Sequence, residues 1–248
     1  MVNISKCFGR VHALSNVNFS VGRGEVVGLV GDNGAGKTTL TKIILGWFPP
    51  DEGGEIYFDG EKTIFSSPKE AREAHIEPVY QDMAVIPYIS VWRNFFMGRE
   101  IQKQVGPFKV LDESLMKKAC SDFLANIGVH VSSPEQMMSM LSGGESQSVA
   151  IGRAMYHKAK LLLLDEPTAS LSVKETAKVL DYVKEAKARG VSSIFITHNL
   201  YHVYSIADRI TILDRGVKVG DYLKEETTPE ELIRIISHSD PLKAGKKC

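Results

Sequence analysis

The chain is poor in cysteine and in long apolar runs. Its three cysteines, Cys7, Cys120 and Cys248, are dispersed and odd in number, which argues against a disulfide framework or a zinc pattern and predicts free thiols in a reducing cytosol. No run of about 18 apolar residues is present, so no transmembrane helix is expected. Met1 precedes polar, mixed sequence, which does not resemble a signal peptide.

An excess of charge of either sign is also missing. Lysine plus arginine and aspartate plus glutamate each number 30 in the 248 residues. A strongly basic surface is the usual mark of a nucleic-acid binder, so no nucleic-acid partner is expected. The length allows one large α/β domain, or a core with an inserted subdomain, and a sizeable buried core in either case.

What the chain does contain is a glycine-rich loop in an informative context. An apolar stretch at 26–30 precedes the loop and a helical pattern follows from Leu40. The loop and first turn are Gly31, Asp32, Asn33, Gly34, Ala35, Gly36, Lys37, Thr38 and Thr39. Strand, glycine loop and helix start together form the context of a phosphate-binding P-loop, whose backbone N–H groups and helix dipole bind a polyphosphate.

Two side chains of this loop fit nucleotide chemistry. Lys37 can reach the β- and γ-phosphates, and the Thr38 hydroxyl can ligate Mg²⁺. The alternative is a glycine-rich turn with a surface lysine, but the many constrained positions in this context favour a nucleotide site. We therefore predict that the chain binds a nucleoside triphosphate.

The periodicity of the remaining sequence predicts an α/β fold. Buried, parallel-type strands are expected at 25–30, 76–80, 160–164, 193–197 and 209–213. Helical patterns alternate with them at 37–46, 173–189 and 200–207. Edge strands are expected at 55–59 and 217–222, and a last short helix at 229–237 with Thr228 as its N-cap.

The stretch from about 86 to 157 differs from the rest. It lacks strand-like runs and carries amphipathic helical patterns, notably at 112–127 and 145–157. We predict a helical subdomain there, inserted into a core formed by 1–85 and 158–248 within one nucleotide-binding domain.

A second chemical signal is an apolar run, 161–164, that ends in Asp165 and Glu166. Successive strand residues point to opposite faces, so the two carboxylates cannot do the same work. Asp165 can hold the Mg²⁺ shell beside Thr38, and Glu166 can polarise an attacking water. Solvated acids at a strand end are the alternative, which the upstream P-loop disfavours.

A third signal is the segment Leu141, Ser142, Gly143, Gly144, Glu145 before a helical pattern. Ser142 and the paired glycines form a second anion-binding helix start that has no phosphate of its own in cis. The order of the P-loop, Gln81, this segment, the acid pair and His198 resembles the ATP-binding-cassette (ABC) transporter ATPases over nearly the whole chain. The resemblance implies a P-loop NTPase core with a mainly parallel sheet, an antiparallel edge sheet and an inserted helical subdomain.

Roles follow from this resemblance position by position. Gln81 matches the glutamine that joins core to subdomain and senses Mg²⁺ and the attacking water. His198 matches the switch histidine at the γ-phosphate, and Phe8 stands where the family stacks a ring on adenine. Ser142 and Gly144 match residues that contact the γ-phosphate of ATP held by a partner subunit. ATP and Mg²⁺ are thus the implied cofactors, and the implied assembly is a head-to-tail dimer, usually of identical cassettes.

A finer resemblance is to importers of monosaccharides of the ribose, xylose, galactose and fructose type. The segments that carry it are DN at 32–33, YQD at 80–82, SVWRN at 90–94, PTA at 167–169 and VKET at 173–176. It implies a membrane permease, an extracytoplasmic sugar-binding protein that acts indirectly, and a location on the cytoplasmic face of the membrane. A non-transport or regulatory ABC-type ATPase is the alternative function.

Some positions depart from the family or allow two interpretations. Ser172 stands where the family often has an aspartate that contacts the facing subunit, and Ser146 replaces a usual positive charge. His198 and His202 are four apart and could form a metal pair, although the HExxH pattern is absent. Phe8 could instead be core packing, and the segment 85–89 could be either a docking patch for a membrane partner or subdomain core.

Overall fold

The computed structural model describes residues 1–79 and 85–238. Its strands are β1 Ile4–Phe8, β2 Val11–Val17, β3 Val26–Val30, β4 Tyr57–Phe58, β5 Glu61–Lys62, β6 Ile76–Val79, β7 Gln102–Val105, β8 Phe108–Leu111, β9 Leu161–Asp165, β10 Ser192–Ile196, β11 Arg209–Asp214 and β12 Val217–Leu223. Its α-helices are α1 Lys37–Ile44, α2 Pro68–Glu73, α3 Val91–Phe96, α4 Glu113–Asn126, α5 Gly143–Tyr156, α6 Val173–Ala188, α7 Leu200–Ile206 and α8 Pro229–His238.

A six-stranded sheet in the order β12-β11-β3-β10-β9-β6 organises the fold. All neighbouring strands run parallel except β12, which pairs antiparallel with β11 at one edge. The central strands are largely apolar because both faces of the sheet are covered. Alternate residues divide between the two sides: Leu162 and Leu164 join one buried cluster, and Leu161 and Leu163 join the other.

The predicted α/β class with a mainly parallel sheet is confirmed. The five predicted parallel strands form β3, β6, β9, β10 and β11, with ends within about two residues of those expected, as is usual for such boundaries. Thr228 caps α8 as predicted, since its hydroxyl accepts the Glu231 N–H at 3.2 Å. The predicted strand end at Tyr80 lies outside the described residues.

One expectation about the inserted stretch was wrong. Residues 86–157 contain α3, α4 and α5, but they also contain an antiparallel hairpin, β7–β8. Each strand has only four residues, all exposed, and β7 is mostly lysine and glutamine, so the apolar alternation that marks a strand is missing. The turn signal Gly106-Pro107 was present, and Gly106 adopts the left-handed region at φ 60°. The division into core and subdomain itself stays a prediction.

A cluster of aromatic rings joins helices α3, α4 and α5. The fully buried Phe95 ring lies 5.3 Å from Phe96, 5.2 Å from Tyr156 and 6.2 Å from Phe123, measured between ring centroids. These residues come from α3, α4 and α5, so one ring cluster fixes all three helices. No helix in the described ranges is long and apolar enough to cross a bilayer.

Phe95→Ala should therefore destabilise the fold, by about 3–5 kcal/mol, because the truncation leaves a cavity in this cluster. Phe108→Ala is a matched control on the hairpin, where the ring is 70% exposed, and it should change stability by no more than about 0.5 kcal/mol. Urea denaturation of both variants measures the difference. Equal losses would show that the ring cluster does not hold these helices.

Candidate nucleotide site

The predicted P-loop connects the end of β3 to the start of α1. Gly31 has φ 148°, and a Cβ there would lie 2.1 Å from the carbonyl oxygen of Leu213 in β11. Gly36 has φ 101°, and a Cβ there would lie 2.7 Å from the carbonyl oxygen of Ala13 in β2. Only glycine fits both positions, so packing against β2 and β11 determines the path of the loop. Gly36 is the N-cap of α1 and has no side chain to cap the helix. The first backbone N–H groups of α1 therefore have no side-chain acceptor from the N-cap residue.

The Lys37 ammonium lies inside this loop. Its Nζ donates to the carbonyl oxygens of Gly31 at 2.6 Å and Asp32 at 3.0 Å, and the residue is 8% exposed. Burial lowers the pKa of Lys37, while the charges of Glu166, Asp165 and Asp32 oppose that shift. The lysine is thus a buried cation that is held by neutral carbonyls and faces a group of acids.

The acid pair stands at the end of β9. Glu166 adopts φ 49°, so the chain turns sharply directly after Asp165. The carboxylate of Glu166 accepts hydrogen bonds from the Thr197 hydroxyl at 3.0 Å, from the His198 backbone N–H at 3.0 Å and from His198 Nδ1 at 2.8 Å. Parallel pairing places Asp165 beside Ile196, so the residues that follow β10 reach the acid pair. The structure therefore brings Glu166 and His198 into direct contact.

No such set of donors surrounds Asp165 among residues 1–79 and 85–238. Burial, and then the charge of Glu166, raise the pKa of Asp165, while Lys37 and Lys42 oppose the rise. A divalent cation would offset the repulsion between the adjacent carboxylates of Asp165 and Glu166. The exposed Thr38 hydroxyl offers a further oxygen ligand for such a cation. Within 1–79 and 85–238 no group of three or more His, Cys, Asp or Glu could hold a metal ion by itself. A cation here would also depend on nucleotide oxygens.

His202 has partners different from those of His198. Its Nδ1 lies 3.0 Å from the Thr168 hydroxyl and its Nε2 lies 3.2 Å from Asn199 Nδ2. Asn199 also caps α7, because its Oδ1 accepts the N–H groups of Tyr201 and His202. Since each imidazole ring has its own protein partners, these contacts favour a structural role for His202 over a metal pair.

The second anion site predicted from the sequence is the glycine segment before α5. Ser142 is the N-cap of α5 and forms a capping box with Glu145. A Cβ on Gly144 would lie 2.6 Å from Cβ of Glu175, and one on Gly143 would lie 2.9 Å from Cδ2 of Leu171. The glycines therefore let the starts of α5 and α6 touch. The Gly144 N–H donates to Glu175 Oε1 at 3.2 Å, so this helix start is bonded to α6.

Phe8 ends β1 with its ring half exposed. It packs edge-on against Phe48 at 5.2 Å, and Lys6 Nζ lies 5.9 Å from its centroid. The half-exposed ring argues against plain core packing, and β2, the partner strand of β1, abuts the P-loop at Gly36. Stacking of Phe8 on adenine stays a prediction. Gln81 lies outside the described residues.

Sequence reasoning missed three residues that complete the site: Thr197 and Asn199, which organise the acid pair and His202, and Glu175, which joins α5 to α6. Glu175 had a visible signal, because the spacing Ser-x-x-Glu at 172–175 is that of a capping box. The two others act through contacts that only the fold creates.

Comparisons with known proteins point to one family. A family model described as "ABC transporter" matches residues 14–169, more than half of the chain. A xylose/arabinose import ATP-binding protein of Sulfolobus acidocaldarius is 42% identical over 235 residues, which cover 95% of this chain and 92% of the relative. A fructose import ATP-binding protein of Rhizobium meliloti is 43% identical over 84% of this chain and 81% of the relative.

Other similar proteins extend the comparison. A ribose import ATP-binding protein of Burkholderia ambifaria is 36% identical over 97% of this chain, which spans only 46% of that relative. The crystal structure of an ABC transporter cassette in its ADP conformation superposes with a TM-score of 0.80 at 26% identity, covering 96% of this chain and 93% of that one. A dimeric cassette bound to ADP and phosphate superposes at 0.73 with 26% identity, over 90% of this chain and 96% of that one.

The raised pKa of Asp165 predicts an effect on stability. Its charged form is disfavoured in the fold, so Asp165→Asn should stabilise the protein at pH 7 by about 0.5–1 kcal/mol, a small value because the carboxylate is only partly buried. The gain should disappear as the pH falls through the raised pKa, because the wild-type carboxyl then becomes protonated.

Urea denaturation at pH 7 and pH 4, without Mg²⁺ or nucleotide, measures this effect. Asp122→Asn on the exposed face of α4 is the control and should leave stability unchanged at both pH values. A destabilised Asp165→Asn at pH 7 would contradict the electrostatic account.

Proposed function

Because the chain belongs to the ABC transporter family, whose cassettes hydrolyse ATP, we propose that it powers the uptake of a monosaccharide through a membrane permease. The observation that carries the proposal is the contact of Glu166 with His198 beside Lys37 and Asp165. All four side chains that hydrolysis would need are present in this chain. The sugar class is taken from the relatives, which are named for import of xylose or arabinose, fructose and ribose.

The chemistry that these residues perform is transfer of the γ-phosphoryl group to water. The Lys37 ammonium exchanges its two carbonyl partners for β- and γ-phosphate oxygens, with the α1 backbone donors. The Glu166 carboxylate takes a proton from the attacking water while the bond between the γ-phosphorus and the bridging oxygen breaks, which yields ADP and phosphate. His198 donates to the charge that develops on the γ-phosphate.

Magnesium fits the residues that face the loop. Thr38 and Asp165 would hold the ion, with Gln81 as a further contact, and bound Mg²⁺ supplies charge neutralisation at the β- and γ-oxygens. Its charge would also relieve the repulsion between the carboxylates of Asp165 and Glu166.

The assembly is a head-to-tail pair of identical cassettes. Ser142 and Gly144 stand at a helix start that has no phosphate partner in its own chain, and they would meet the γ-phosphate held by the other subunit. Dimeric cassettes among the similar structures support this pairing. ATP then joins the subunits, and loss of the γ-phosphate releases them.

An exposed apolar surface next to α5 suits the permease. This docking surface consists of Ile86, Tyr88, Met137 and Met140, with Tyr88 80% and Met140 73% exposed. A β-bridge between Ser90 and Met137 ties its two segments together. Large exposed apolar side chains that cluster in this way mark interaction sites, so a surface role is favoured over subdomain core. Met140 lies two residues before Ser142, the N-cap of α5, so this surface adjoins the second predicted anion site.

In the proposed system the chain works at the cytoplasmic face of the membrane. The permease spans the bilayer, and a sugar-binding protein outside the membrane delivers the substrate and determines which sugar is carried. The cassette itself contacts neither the sugar nor nucleic acid.

Replacement of an apolar ring on the docking surface tests this function. In cells that lack the chain, the wild type should restore uptake of radiolabelled xylose, ribose or fructose, whereas Tyr88→Arg should reduce that uptake at least about tenfold, because a buried interface does not accept an unpaired charge. Ile64→Arg, at another half-exposed apolar position, should restore uptake like the wild type.

ATP hydrolysis by the three purified proteins separates coupling from catalysis, and the rates should be equal because Tyr88 lies outside the nucleotide site. If the wild-type chain restores uptake of none of the three sugars, monosaccharide import is contradicted. Full uptake with Tyr88→Arg would contradict the docking surface.

A further inference from the structure

The carboxylate of Glu175 joins the starts of two helices. Glu175 lies in the first turn of α6, where Oε2 accepts the Ser172 hydroxyl at 2.7 Å and the Ser172 N–H at 3.0 Å. Its other oxygen, Oε1, accepts the Gly144 N–H of α5 at 3.2 Å. An ordinary capping box serves one helix, so the second contact is additional to the local role of Glu175.

The donors on the α5 side are those expected to bind phosphate. Bonds from the Ser172 hydroxyl and N–H, the Gly144 N–H and the Ser142 hydroxyl lower the pKa of Glu175 to about 2. Ser142 and Gly144 are also the two residues assigned above to the γ-phosphate of the partner's ATP. The carboxylate is therefore an anion already bound at the position that a second anion must reach.

Close packing keeps the backbone of Glu175 at this position. The Gly144 backbone approaches so closely that a Cβ there would lie 2.6 Å from Cβ and 2.8 Å from Cγ of Glu175. The helix starts cannot separate without loss of this contact, but the carboxylate can turn away through its own side-chain torsions and keep its bonds to Ser172. The geometry thus allows exchange of one anion for another without unfolding either helix.

We propose that the Glu175 carboxylate is a placeholder for the partner's γ-phosphate: it binds the Gly144 N–H in the separate subunit and is displaced when ATP joins two subunits. The proposal rests on the head-to-tail assembly described above. A carboxylate and a phosphate at the same donors repel each other, so the carboxylate must give up its bond to Gly144. Two subunits then associate only when the phosphate takes the place of the carboxylate in its charge-assisted hydrogen bond. Association without ATP is therefore disfavoured.

The alternative is that Glu175 only caps α6, and a second capping box in the same chain isolates that role. Glu231 in α8 accepts the Thr228 N–H at 3.1 Å, and its own N–H donates to the Thr228 hydroxyl at 3.2 Å. It repeats two of the local bonds of Glu175, and among the described residues it makes no hydrogen bond to α5. Glu231→Gln therefore reproduces the capping loss alone.

The first test compares ATP-driven assembly of full-length variants. In a Glu166→Gln background, which slows hydrolysis, sedimentation velocity with Mg-ATP gives the protein concentration at half assembly. Glu175→Gln should lower that concentration about threefold or more, because a neutral amide competes less well with phosphate. Glu175→Asp keeps the charge but is one methylene shorter, so it should give a value between those of Glu175→Gln and the wild type. Glu231→Gln should leave the value unchanged.

An unchanged or higher concentration for Glu175→Gln would overturn the placeholder, because a residue that only orients the helix start would weaken assembly when altered. If Glu175→Gln does not fold, Glu175→Asp decides the question by the same comparison. Mg-ADP should assemble none of the proteins.

The second test does not depend on assembly. Carboxyl ¹³C NMR of the separate wild-type subunit should show Glu175 titrating near pH 2, in accord with its donors on α5 and α6. Titration at the ordinary pKa of a glutamate would overturn the contact with Gly144. A low pKa together with no assembly of the wild type or Glu175→Gln would support the contact and contradict the proposed homodimer instead.

Discussion

The burial of one ammonium group is the constraint on which the nucleotide site depends. Within the described residues, Lys37 Nζ contacts only the carbonyl oxygens of Gly31 and Asp32, and burial lowers the pKa of Lys37. A buried cation is costly unless it is compensated, and the acids Asp32, Asp165 and Glu166 supply a compensating field. The charges are thus only partly compensated without a ligand, and a polyphosphate can replace the carbonyls as the partner of Lys37.

This balance requires several chain segments to meet, and the parallel sheet arranges the meeting. The loop follows β3, the acid pair ends β9 and His198 follows β10, and these are adjacent strands. Since the carboxyl ends of parallel strands share one edge, residues that are far apart in sequence become neighbours. β11 also lines the loop, because its Leu213 carbonyl excludes any side chain at position 31. The sheet order therefore determines the chemistry as much as the motifs do.

Much of this could be predicted from sequence because the physical signals were local. The P-loop, the apolar strand before Asp165 and the Thr228 cap each depend on a few adjacent residues, and the six strands of the main sheet lie close to where periodicity placed them. The hairpin β7–β8 was not predicted because its exposed strands carry no apolar alternation. The only local indication of a hairpin was its two-residue turn.

Contacts between distant segments could not be predicted in the same way. No pattern indicates that Glu175 reaches Gly144, or that Thr197 and His198 hold Glu166, since those contacts exist only once α5 packs on α6 and β10 pairs with β9. The glycines at 143 and 144 predicted an anion site, but the fold shows that a carboxylate of the same chain is bonded there. Sequence motifs thus identify the chemical groups, and tertiary packing determines which of them are engaged before a ligand arrives.

The most direct test of this account is calorimetric titration of ATP into Lys37→Ala, with Lys118→Ala at an exposed position of α4 as the control. If the Lys37 ammonium exchanges carbonyls for phosphate, Lys37→Ala should lose at least about tenfold in affinity and Lys118→Ala should bind like the wild type. Unchanged ATP affinity in Lys37→Ala would contradict the assignment of this loop as the nucleotide site.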